Sequence, residues 1–204
     1  MSVHTNLEAT AIILATGFAG HTFVEAALIV GSFALGTGLH LACHLAVAVA
    51  FGKGIDRMVL TRAGRIDYAG AAPGFVENIL RTGAGATMNA LCAVVGYALL
   101  ATLDVNAWHP VVALALRTFT SCSLILTMIN FLPAVPLDGG LILKSVLERV
   151  IGQARAMRAA VFASMAVMLG MAIVGVVLVQ PILVYLAIVI SYDNWRKHLQ
   201  PPVT

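Results

Sequence analysis

Two histidines four residues apart are the clearest chemical signal in the sequence. His40 and His44 lie in the apolar run GTGLHLACHLAVAVAFGK, which spans residues 36–53. On an α-helix this spacing places both imidazoles on one face, one turn apart, where they can bind a single metal ion. A zinc metalloprotease has H-E-x-x-H at such a place, whereas this chain has Leu41 where the glutamate would stand. The sequence therefore predicts a pair of metal ligands without the usual general base.

A broken apolar segment further along the chain offers a third ligand. Residues 130–140 read NFLPAVPLDGG, and the two prolines and two glycines interrupt a helical pattern. Irregular backbone at membrane depth is tolerated where it is buried in protein or lines a cavity. A carboxylate there is costly unless it is paired, and we expect Gly139 and Gly140 to let the backbone turn Asp138 inward. Because a hydrolytic zinc site has three protein ligands and one open position, we expect Asp138 to complete the site.

The histidine pair taken alone is compatible with two further roles. Such a pair can be a hydrogen-bonded core pair, or can supply an axial ligand to haem or to chlorophyll magnesium. The cofactor role makes no use of Asp138 and is therefore less favoured. Cys43 lies about 80° around the helix from the mean direction of the histidines, so its thiol is an alternative auxiliary ligand or base. A cysteine that simply packs in the core is the plainer interpretation of Cys43.

The composition indicates a membrane protein. Of the 204 residues, 60% are hydrophobic and only 10% are charged, too few for the surface of a water-soluble domain of this length. We expect residues 1–204 to form a single all-α polytopic membrane domain, a bundle of five to six transmembrane segments. The apolar segments lie at 21–51, 75–103, 111–131, 156–178 and 181–192.

The remaining segments are shorter or more polar. Residues 6–20 are apolar but fall short of the ~20 residues that a spanning helix needs, and they are either a re-entrant element or part of a tilted helix. No secretory signal is evident before them. Residues 53–72 are the most polar stretch, and strand-like composition on both sides of Arg62-Ala63-Gly64 predicts a short β-hairpin after the metal-binding helix.

The distribution of charge predicts the orientation in the membrane. The net charge of +3 gives no indication of nucleic-acid binding, because the basic residues flank apolar segments. Nearly all of them fall in 53–81, 144–158 and the C-terminal tail, and the predicted spans place these three regions on one side. By the positive-inside rule that side is the cytoplasm. His40, His44 and Asp138 are then expected at a similar depth, near the cytoplasmic face.

The broken segment resembles a known family motif. NFLPAVPLDGG is similar to the N-x-x-P-x-x-x-L-D-G motif of the site-2 protease family of intramembrane zinc metalloproteases. Residues 84–89, AGATMN, resemble the family's A-G-P-x-x-N stretch and lie between the other two motifs. The resemblance covers about residues 25–150, the family's core, and the segments over 156–192 lie beyond it. It implies zinc bound by His40, His44 and Asp138.

The same resemblance implies a substrate groove. Asn89 and Asn130 stand where the family has residues that line this groove. Both amides also have a structural interpretation, since an amide can satisfy backbone groups of a broken helix. The chain departs from the motifs at Ala86, which replaces a proline, and at Leu41, which replaces the catalytic glutamate.

The departure at Leu41 decides the predicted function. Losing a positioned general base costs about 10²–10⁴-fold in rate, so no catalytic residue is assigned. We expect a zinc-containing membrane protein with weak or no proteolytic activity. Its partners would be the lipid bilayer and a transmembrane helix of another protein, or a larger membrane complex of which it is a subunit. The rival is an active intramembrane metalloprotease that cleaves transmembrane helices with a non-standard base.

Overall fold

A computed structural model describes residues 22–53, 55–59, 65–68 and 73–199. The apolar stretch 6–20 therefore lies outside the described residues. A short 3₁₀-helix covers Val105–Ala107, and a π-helical segment covers Trp195–Leu199. The α-helices of the described residues are α1 (Phe23–Ala50), α2 (Phe75–Thr102), α3 (Pro110–Asn130), α4 (Asp138–Ile151), α5 (Gln153–Val177) and α6 (Pro181–Asn194).

Four of these helices are long and apolar enough to cross a membrane, namely α1, α2, α3 and α5. Large apolar side chains on them face outward, for example Val94, Leu169 and Val176, each about two-thirds exposed. Such faces suit contact with lipid, and the helices identify an integral membrane protein.

The expectation of five to six spans is not reached within the described residues. The predicted span at 181–192 corresponds to α6, which has only 14 residues. At 1.5 Å per residue it is about 21 Å long, whereas a typical hydrocarbon core is about 30 Å thick. The helix is short because Pro181 occupies its first turn and a π-helical segment follows Asn194.

Two short strands follow α1. Strand β1 (Ile55–Val59) pairs antiparallel with β2 (Arg65–Tyr68), and Met58 lies opposite Ile66. The register shifts between Ile55 and Arg57. Residues 60–64, which hold the predicted turn, lie outside the described residues.

The described residues divide into two compact units, of which the first comprises those up to residue 73 together with residues 83–130. Its helix α1 begins at a capping box: the Glu25 N–H donates to Thr22 Oγ1 at 3.3 Å, and the Thr22 N–H donates to Glu25 Oε2 at 2.8 Å. Helix α1 packs against α3, and a Cβ at Gly36 would lie 2.8 Å from Leu126 Cδ1. Small residues therefore permit close helix contact, as is common in membrane bundles.

The second unit comprises residues 74–82 and the described residues from 131 onward, which end at 199. Helix α5 packs against both α4 and α6. The apolar core of this second unit is formed by Ala134, Met168, Ala187 and Ile190. Ala134 belongs to the linker between α3 and α4, so this non-helical linker is part of the core of its unit.

Candidate metal centre

The two histidines lie on α1 with their ring nitrogens facing each other. His40 Nε2 and His44 Nε2 are 3.0 Å apart, and the ring planes are inclined at 78°. Both side chains are half-buried. The i, i+4 spacing on a regular helix thus directs two imidazole nitrogens towards one point, as the sequence predicts.

Gly85 of α2 leaves room for this pair. A Cβ built at Gly85 would lie 2.5 Å from His40 Nε2 and 2.5 Å from His44 Nε2, closer than real Cβ contacts. Any side chain at this position would therefore occupy the space towards which both nitrogens point. Gly85 lies in the stretch AGATMN that resembles a family motif, but nothing in the sequence predicts its contact with the histidines.

Asn89 lies one turn beyond Gly85 and contacts the other nitrogen of His40. Asn89 Nδ2 is 3.1 Å from His40 Nδ1, and the asparagine is fully buried. Asn89 Oδ1 is buried and has no hydrogen-bond partner among the described residues. One arrangement of protons makes both contacts of His40 hydrogen bonds. In it Asn89 Nδ2 donates to His40 Nδ1, and His40 Nε2–H donates to His44 Nε2.

Asp138 is the first residue of α4 and is 8% exposed. Its carboxylate lies at the positive end of the helix dipole, which stabilises negative charge. The glycines after it have a different function from the one predicted. Among the glycines of the described residues, those with positive φ are Gly52 and Gly152, so no left-handed turn occurs at Gly139 or Gly140.

These two glycines allow the linker backbone to approach α4 closely. A Cβ at Gly139 would lie 2.5 Å from Leu132 O, and a Cβ at Gly140 would overlap the backbone of Ala134 and Val135. The missing side chains therefore create space for close backbone packing and do not relieve an unusual φ.

The residues that could supply metal ligands are His40 and His44 in the first unit and Asp138 in the second. Two imidazole nitrogens and one carboxylate oxygen are a donor set typical of zinc, with a fourth position left for water or substrate. These are the three ligand residues that the sequence predicts.

The other predicted site residues have plainer surroundings. Cys43 is a free, half-buried cysteine, and Leu41 is also half-buried. The Asn130 amide donates to Leu126 O at 2.9 Å, which is a carbonyl of its own helix α3. This bond accords with the structural interpretation of that amide, in which it satisfies helix backbone next to a break.

Two residues that the sequence motifs do not indicate hold the linker before Asp138. The Val135 N–H donates to Ser164 Oγ at 2.6 Å, and Asn194 Nδ2 donates to Val135 O at 2.6 Å. Ser164 and Asn194 are polar residues in or next to apolar segments, and this was the signal available in the sequence. Nothing in their spacing, however, points to Val135.

Both the sequence and the fold of this chain are similar to those of known membrane peptidases. The sequence profile of peptidase family M50 matches residues 6–174. No curated protein shows significant similarity to the chain. Among solved structures, the site-2 protease from Methanocaldococcus jannaschii is similar, with a TM-score of 0.71 at 19% sequence identity. The alignment covers 97% of this chain and 89% of that one, and at such identity it shows a shared fold.

Proposed function

The chain belongs to peptidase family M50, and from this premise we propose that it retains the family's zinc site but has weak or no proteolytic activity. The observation that carries the proposal is the contrast within one helical turn of α1. His40 and His44 keep the geometry of a ligand pair, whereas Leu41 between them offers no proton acceptor.

The proposed zinc ligands are His40 Nε2, His44 Nε2 and a carboxylate oxygen of Asp138. The chemistry of the donor set and the match to the family profile support this assignment. The absence of a side chain at Gly85 also supports it, because the space in front of both nitrogens stays open. When bound, zinc supplies Lewis-acid chemistry.

Asn89 is proposed to orient His40, in addition to lining a substrate groove with Asn130. When His40 Nε2 binds a metal ion, the ring proton resides on Nδ1, which becomes a donor. Rotation of the Asn89 side-chain amide group by half a turn, which exchanges Nδ2 and Oδ1, then presents Oδ1 to this proton. The same half-turn gives a partner to Oδ1, which has none among the described residues.

Leu41 is the reason for proposing weak or absent activity. Peptide hydrolysis needs a group that takes a proton from the attacking water and delivers it to the leaving amine. Leucine can do neither. Loss of such a base lowers the rate by about 10²–10⁴-fold, so turnover would be slow even with the ligands in place.

The proposed role is therefore binding. A protein of this family that has lost its base can still hold a transmembrane helix of a partner, or serve as a subunit of a larger membrane assembly. The exposed apolar surfaces of α2 and α5 offer area for helix–helix contact within the bilayer. The basic regions 53–81, 144–158 and the C-terminus are proposed to face the cytoplasm.

The rival function is active intramembrane proteolysis with a non-standard base. It is favoured by the retention of all three ligand residues, since a chain without any chemistry has no need of them. Cys43 is a candidate base, because it precedes His44 on α1 and is a free cysteine.

The test combines metal analysis with restoration of the glutamate. The purified chain should contain one zinc per molecule and should cleave a transmembrane-helix reporter in lipid vesicles very slowly or not at all. Leu41→Glu should raise cleavage by about 10²–10⁴-fold, whereas Leu41→Gln, of the same size but without a base, should not. Zinc-dependent cleavage by the unaltered chain at a rate like that of Leu41→Glu, abolished by His44→Ala, would overturn the proposal in favour of its rival.

A further inference from the structure

The linker that leads to Asp138 is held at one peptide position by side chains from two other helices. Ser164 in the middle of α5 accepts from the Val135 N–H, and Asn194 at the end of α6 donates to the Val135 carbonyl. Val135 is three residues before Asp138. Both backbone polar groups of this residue are thus satisfied by side chains and not by secondary structure. We call Ser164, Asn194 and Val135 the linker clamp.

The linker clamp lies in a water-poor environment. Ser164 is fully buried, Asn194 is 2% exposed and Val135 is 5% exposed. The adjacent Ala134 belongs to the apolar core of the second unit. Hydrogen bonds are strong in such surroundings, and a buried backbone group that loses its partner is costly. The two bonds therefore define the position of the Val135 peptide sharply.

This position is transmitted to Asp138 by close backbone packing. Gly140 in the first turn of α4 lies against the backbone of Ala134 and Val135, so that not even a Cβ fits between them. The Leu137 N–H donates to Ala134 O at 2.8 Å, which closes the linker into a tight turn before α4 begins. A shift of Val135 must therefore move the first turn of α4, where Asp138 lies.

We propose that Ser164 and Asn194 are positioning residues for metal binding, which fix Asp138 through Val135. The inference rests on the proposed zinc site. It assigns to the last two helices, outside the region that carries the family motifs, the task of holding the third ligand. Neither side chain is proposed to touch the metal ion or a substrate.

The experiment measures zinc affinity of the full-length chain by competition with a chromophoric chelator. Ser164→Ala and Asn194→Ala should each weaken zinc binding by about 10–100-fold, the usual effect of losing a group that orients a ligand. Ser164→Thr, which keeps the hydroxyl, should restore most of the affinity. Ser123→Ala is the matched control, because Ser123 is also fully buried in a helix but its hydroxyl has no hydrogen-bond partner among the described residues.

A double substitution separates positioning from general stability. In an Asp138→Ala background, where only the histidines remain, Ser164→Ala and Asn194→Ala should leave the residual zinc affinity unchanged. An equal loss in both backgrounds, or no loss in the unaltered background, would overturn the inference. If Ser164→Ala does not fold, Asn194→Gln, which keeps the donor on a longer side chain, should still weaken zinc binding by displacing Val135. A chain that binds no zinc before any substitution would refute the proposed function itself, which is a distinct result.

Discussion

The histidine ligands and the aspartate ligand are held in different ways. His40 and His44 lie on one regular helix, and their relation to each other follows from the helical repeat alone. Asp138 follows a non-helical linker whose position depends on residues of α4, α5 and α6. One side of the proposed site is therefore set by local geometry and the other by tertiary contacts.

The difference has a physical consequence for how each side responds to substitution. A pair on one helix stays oriented as long as the helix exists, because its backbone hydrogen bonds are internal. A ligand on a linker depends on every contact that holds the linker, so the loss of any one of these contacts can displace the ligand. We expect the aspartate side to be affected by distant substitutions and the histidine side only by neighbours.

Removal of the ligands themselves should have the largest effect and should differ between the two sides. His44→Ala leaves one imidazole and should abolish measurable zinc binding. Asp138→Ala leaves two imidazoles already oriented on α1 and should retain weak binding, although still reduced by more than about 100-fold, beyond the usual effect of an orienting group. Isothermal titration with zinc measures both. Cys92→Ser, at a free, half-buried cysteine on α2, is the control and should bind normally. Weaker binding by Asp138→Ala than by His44→Ala would contradict the comparison.

The same difference explains what could be predicted from the sequence. The length and apolar composition of the segments predicted the positions of α1, α2, α3 and α5 to within a few residues. The i, i+4 spacing predicted that His40 and His44 face one point, and the interrupted segment with its carboxylate indicated Asp138. These are signals that lie within one short window of the chain.

Contacts between residues that are far apart in the sequence were not predicted. Asn194 and Val135 lie in different segments, and no helical or strand periodicity relates them. Their hydrogen bond is therefore visible only in the folded chain. The glycines after Asp138 were expected to permit a turn, but they permit close packing, which depends on what lies opposite. Asn89 was predicted to line a groove, and its bond to His40 Nδ1 likewise joins different helices.

Adding a methyl group at a glycine, on the histidine side or on the aspartate side of the proposed site, should have the next largest effect. Gly85→Ala should weaken zinc binding by about 10–100-fold, because its Cβ would displace both imidazoles. The rings can rotate, so the fold should survive. Gly140→Ala places its Cβ against backbone atoms, which cannot rotate away, and should also destabilise the protein by about 1–3 kcal/mol. Zinc titration and thermal unfolding measure the two effects.

Gly31→Ala provides the control for both glycine substitutions. Gly31 lies on α1, and a Cβ there would meet no atom of the described residues within 4 Å, apart from its chain neighbours and the nearby backbone of its own helix. This variant should bind zinc normally and unfold at or slightly above the usual temperature, since alanine favours helix. If Gly85→Ala reduced stability as much as Gly140→Ala, the histidine side would be no more tolerant than the aspartate side.

Substitution of Asn89 should have the smallest effect, because it orients one ligand and removes none. Asn89→Ala should weaken zinc binding by about 10-fold, the lower end of the range for an orienting partner. Asn89→Asp should keep the affinity, since a carboxylate accepts the His40 Nδ1 proton at least as well as an amide oxygen. It should also destabilise the metal-free protein, because a new carboxylate would be fully buried. Added zinc should then raise the unfolding temperature of Asn89→Asp more than that of the unaltered chain. An Asn89→Ala variant with undiminished affinity would show that α1 alone orients the imidazoles.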